Sequence, residues 1–237
     1  MIVVSRIVLG SVLVVCSAFA SAQTSETPAV ASGKAPPEVS FHFDRIGLPV
    51  PHFTLVVRED GTGNYQADQV EIPASGTAMR GQAAQHIDRP INLTPGTVTK
   101  IFKAARALNY FNIECESKAK NIADTGKKTL SYKGSDGSGS CTYNYSETKN
   151  VDTLTDIFFG IAYTLDEGRR LEFLHRYDRL GLDAEMISLT QEADAGHALE
   201  FGTISPTLAA IVDDPALIQR VRVKAQKMLE QAAAENH

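Results

Sequence analysis

The chain has 237 residues, with 23 basic and 28 acidic side chains and a net charge of −5. Hydrophobic residues at 43% and charged residues at 22% describe a globular protein that can bury a core. The mild acidic excess argues against nucleic acid as a partner, since phosphate binding needs a basic field, and the lack of tryptophan argues against a sugar-stacking platform.

The chain opens with Arg6 ahead of an apolar run over residues 7–16, then small residues ending in Ala20-Ser21-Ala22. A basic start, a short apolar segment and a small-x-small site are the parts of a cleavable export signal. Residues 1–22 are therefore read as a signal peptide, and the mature chain as extracytoplasmic, periplasmic or secreted. The apolar run is too short for a membrane-spanning helix, and Val15 is not the small residue that a lipidated Cys16 would need before it. No integral membrane segment is expected after cleavage.

Residues 23–40 are rich in proline and small residues with little to bury, which reads as a disordered tether. An α+β domain follows over 41–148. Residues 53–58 alternate, with Phe53, Leu55 and Val57 on one side, and Asp60-Gly61 turns the chain into a return strand at 64–67. Residues 73–81 read as a loop. A strand over 86–93 carries Pro90, which pushes it to a sheet edge.

Thr94 caps a helix whose first residue is Pro95. Val98, Ile101, Phe102, Ala105 and Leu108 mark its buried face, and the helix ends near residues 109–111. Two strands, 129–132 and 141–145, flank a flexible turn; Cys141, Tyr143 and Tyr145 then share a face. Once the signal is removed, Cys115 and Cys141 are the two remaining cysteines, and in an oxidising compartment such a pair forms a structural disulfide.

From residue 149 to 237 the chain reads as all-helical. Val151, Leu154, Phe158, Ile161 and Leu165 form a stripe that continues past Gly168 through Leu171 and Leu174. Leu180-Gly181-Leu182 reads as a helix end with left-handed glycine. Asp183, Ser205-Pro206 and Asp214-Pro215 begin three further helices. The last buries Leu217 or Ile218, Val221, Ala225, Met228 and Leu229 and turns Arg220, Lys224 and Lys227 outward. The fold class is α+β: a small antiparallel sheet with one packed helix, followed by an all-helical C-terminal half.

No phosphate loop, nucleophile elbow, zinc-protease or calcium-loop pattern occurs, and no cofactor or metal is expected. If the chain is an enzyme, the candidates are His175 with Asp178, three apart on a helix, and Glu114 with Glu116, the carboxylates flanking Cys115. Residues 53–63, the helix end at 108–111 and residues 126–132 together resemble exported bacterial domains of unknown function, built from a strand–Asp-Gly-Thr–strand hairpin, a helix and further strands. That resemblance implies a fold and no activity. The expectation is a non-enzymatic envelope protein that binds a protein or peptide partner; the alternative is an extracytoplasmic hydrolase.

Overall fold

A computed structural model describes residues 35–70 and 84–235. The segment read as an export signal, residues 23–34 of the stretch read as a tether, and the expected loop at 73–81 lie outside the described residues. Six strands form one antiparallel sheet in the order β4-β3-β2-β1-β5-β6. The strands are β1 (Glu38–Asp44), β2 (His52–Arg58), β3 (Thr62–Gln69), β4 (Gln85–Asn92), β5 (Lys127–Lys133) and β6 (Ser138–Tyr143). The helices are α1 (Pro95–Ala107), α2 (Lys149–Tyr177), α3 (Gly181–Asp194), α4 (Ser205–Asp213) and α5 (Gln219–Glu235). The α+β class, with helices filling the C-terminal half, is as the sequence predicts.

β1 is the strand that the alternation did not announce. It begins at Glu38, inside the stretch read as tether, and Val39 is fully buried. The reason is its place: β1 lies between β2 and β5, pairing Phe41 with Leu55 on one side and Leu130 on the other. A strand with neighbours on both edges gains its order from partners that are distant in sequence.

Period-two alternation divides the sheet into two faces. The inner face carries Phe41, Leu55, Tyr65 and Leu130, all fully buried. The outer face is polar and closed by cross-strand pairs such as His42 with Thr54 at 2.9 Å and Thr129 with Thr142 at 3.0 Å. The β2–β3 hairpin turns through Glu59, Asp60 and Gly61; Gly61 has φ +87°, and Asp60 accepts from the Thr62 N–H at 2.9 Å. β4 forms one edge, as Pro90 suggests. At the other edge, the residues around Cys115 run beside β6: Ser117 N–H donates to Tyr145 O at 2.8 Å, and the Cys115–Cys141 disulfide fixes the pairing. Tyr145 departs from the expected face and is nearly half-exposed, because β6 stops at Tyr143.

α1 is capped by Thr94 and buries Val98, Ile101, Phe102 and Ala105. Its end runs into three consecutive residues with positive φ, Asn109, Tyr110 and Phe111, and Phe111 is fully buried. A second cap comes from far away. The Glu200 carboxylate, 4% exposed, accepts from the Thr94 N–H at 2.8 Å and from its hydroxyl at 2.7 Å.

The first four turns of α2 lie on the sheet, where Phe158 stacks on Phe41 at 5.1 Å. Its later turns belong to a second core that Leu171 shares with Leu182, Phe201, Leu208 and Val221. Gly168 allows that approach: a β-carbon there would sit 2.3 Å from Ile204 Cγ2. The helix stops at Tyr177, and Gly181 is the first residue of α3 rather than a left-handed terminator. Asp178 accepts from the Gly181 N–H at 3.2 Å, so the turn is capped by a side chain and needs no left-handed residue. Asp214 likewise caps a turn, accepting from the Ala216 N–H at 2.9 Å, and α5 starts later, at Gln219. Leu217 is the buried one of the two candidates, and Ile218 is half-exposed. Of the basic stripe on α5, Arg220 and Lys224 both reach Asp183 of α3, at 2.8 and 3.2 Å.

Gly168→Ala gains helix propensity of about 1 kcal/mol yet is expected to lose about 1–3 kcal/mol net through the clash with Ile204, as read by urea unfolding. Glu200→Ala strands the buried Thr94 N–H and is expected to lose about 2–3 kcal/mol in the same assay.

Candidate functional site

A groove of about 1390 Å³ lies between the sheet and the second half of α2. Its floor is aromatic. Phe43, Phe53 and Phe159 pack with ring centres 5.0–5.8 Å apart, and Leu48 and Val50 of the β1–β2 loop extend it. Its wall is the polar side of α2 from Asp166 to Tyr177, faced by Arg89 of β4.

Arg89 is inward for a simple reason: in β4 it stands between Ile87 and Ile91, both buried on the core face. An arginine on that face needs a partner, and Glu172 supplies it through two bonds of 2.8 and 3.2 Å. Burial pushes the Glu172 carboxyl up, but the bonds from Arg89 and Thr207 hold it below the usual carboxylate range. Asp166 accepts from the Tyr65 hydroxyl at 2.9 Å and from Arg169 at 3.0 Å, and Arg169 also donates to Gln69 at 2.8 Å. Burial raises both Tyr65 and Asp166, and the negative charge of Asp166 raises Tyr65 further.

Glu167 is the unusual group. Burial, then its contact with the Glu185 carboxyl, pushes it up to about 8. Glu185 itself pairs with Arg170 at 2.7 Å, so Glu167 retains its proton at neutral pH. Among the described residues, the buried side-chain atoms without a hydrogen-bond partner are Glu167 Oε2 and Arg169 Nε, neighbours on this one wall. At the rim, Phe173 and Tyr177 are 58% and 65% exposed, their rings tilted against each other with centres 5.1 Å apart, and the Arg176 guanidinium lies 5.2 Å from the Tyr177 ring centre.

The residues singled out from sequence lie elsewhere. His175 Nε2 is 2.9 Å from Asp214, which also meets Arg179 at 3.3 Å, while Asp178 serves the turn to α3. The expected His175–Asp178 dyad is thus replaced by a His175–Asp214 pair that ties α2 to the α4–α5 turn. Glu114 is exposed and pairs with Lys118 at 3.3 Å; Glu116 accepts from the Asn144 backbone N–H. None of these four side chains lines the groove. Cys115 and Cys141 are joined and buried.

A second, smaller hollow adjoins Lys128, which is buried and inward-facing on β5. Its ammonium is consumed by Thr125 Oγ1 at 2.8 Å and by the carbonyls of Asn144 and Gly126 at 2.7 and 3.1 Å. Burial, followed by the charge of Arg45, lowers its pKa. The lysine acts as a cap for the chain around β5 and β6.

Among the described residues, no three His, Cys, Asp or Glu side chains gather as a metal site, and no helix is long and apolar enough to cross a membrane. No protein-family model matches the chain. No curated protein matches it either.

Glu167 makes the stability of the fold depend on pH. Its folded pKa is raised above 4.5 to about 8, so its contribution is complete below pH 4.5 and is lost as pH rises through about 8. Glu167→Gln, which mimics the protonated form, is expected to match the parent in Tm near pH 4.5, to exceed it increasingly as pH rises from 5 to about 8, and to keep a constant lead above that. Parallel Tm curves across that range would contradict the assignment.

Proposed function

We propose that the protein is an extracytoplasmic binding module that holds a peptide, or an extended segment of a protein partner, in the α2 groove. The observation that carries this reading is the aromatic floor ending in an exposed Phe173–Arg176–Tyr177 rim. Aromatic and arginine side chains are those over-represented at interface hot spots, and at the rim Phe173, Arg176 and Tyr177 face solvent, while Phe43 and Phe53 beneath them are anchored in the sheet-side core. The groove volume of about 1390 Å³ exceeds the 300–1,000 Å³ typical of small-molecule sites. The disulfide supports an oxidising compartment. The hydrolase alternative has less support, because His175 and its Asp214 partner are engaged in holding α2 to the turn after α4.

Selection of a displayed random-peptide library on the oxidised protein tests the reading. Selected peptides are expected to bind in the micromolar range and to lose at least about tenfold, roughly 1.4 kcal/mol, in the Phe173→Ala/Tyr177→Ala double variant. Selected peptides that bind the variant as well as the parent would sink the proposal.

A further inference from the structure

Resting on the peptide-binding reading, the charges around the groove say which peptides it takes. Arg89 is matched by Glu172, Arg169 by Asp166 and Arg170 by Glu185 of α3. Two ionisable groups remain on the wall, Glu167 and Arg176. Glu167 is a protonated acid at neutral pH. Arg176 has no carboxylate within ion-pair distance among the described residues; its contact is the face of Tyr177. A cation over a ring face keeps its in-plane N–H donors unspent. Arg170 adds to it, since its side chain is 62% exposed beyond its single bond to Glu185. Among the described residues, the groove therefore presents an apolar floor and one unmatched cation at its rim.

We infer that the groove selects an acidic, extended peptide, with apolar side chains on the Phe43–Phe53–Phe159 floor and carboxylates toward Arg176 and Arg170. The alternation suits a strand-like ligand, whose successive side chains point to opposite sides. Length follows as well. The groove runs along α2 from Phe159 to Tyr177, about 27 Å at the helical rise, which an extended chain spans in about eight residues.

The test uses three fluorescent octapeptides that alternate leucine with glutamate, glutamine or lysine, titrated against the oxidised protein by anisotropy. The glutamate peptide is expected to bind at least tenfold tighter than the glutamine peptide, with the lysine peptide weakest. Arg176→Glu, an exposed change whose folding is checked by circular dichroism, is expected to remove that preference. Equal affinity for all three peptides would overturn the charge inference and leave the peptide-binding reading standing. Failure of all three, while library-selected peptides bind, would overturn the inference as well. Failure of every peptide, with the protein sedimenting on phosphatidylglycerol vesicles, would overturn both in favour of a lipid surface.

Discussion

One helix has to serve two cores. α2 contributes Val151, Leu154, Phe158, Ile161 and Leu165 to the sheet-side core and Leu171 to the helical one. A continuous 29-residue helix transmits position between the two, so the sheet and the C-terminal helices are registered by the same rod. Other links reinforce that register: Glu200 caps α1 from beyond α3, and Arg89 of β4 reaches Glu172. The side of α2 that neither core uses carries Asp166, Glu167, Arg169, Glu172 and Arg176 along the groove.

The groove is a consequence of this geometry. The second half of α2 faces β3 and β4, through Arg169 with Gln69 and Glu172 with Arg89, and the groove there is floored by aromatic residues from β1, β2 and α2. Ionisable groups in such a place must be neutralised by pairing or by proton uptake. Both solutions occur side by side on α2: Asp166 and Glu172 are paired, whereas Glu167, next to Asp166 in sequence, keeps its proton.

Much of this fold is legible from spacing. The alternation of Phe53, Leu55 and Val57, the Asp60-Gly61 turn, the Thr94-Pro95 helix start and the α2 stripe are local signals, and each corresponds to an observed element. β1 was less legible because its order depends on partners on both sides. The helix ends at 178–183 and 214–219 were misplaced because aspartate side chains cap those turns where the spacing suggested a glycine terminator and an earlier helix start.

The site was the least legible part. Tyr65 meets Asp166, and Arg89 meets Glu172, across separations of 101 and 83 residues that no spacing rule covers. One clue existed: Arg89 occupies an inward position of an alternating strand, and an inward arginine requires an acid opposite. His175 and Asp178, in contrast, met a local rule but lie where the helix ends.

Native-state hydrogen exchange tests the role of α2 most directly. Amides of residues 158–171 are expected to exchange only through global unfolding, in step with those of β1, β2 and α4. Exchange of the sheet and of the C-terminal helices as two independent units, with the second half of α2 opening along with the helices, would contradict the shared-rod account.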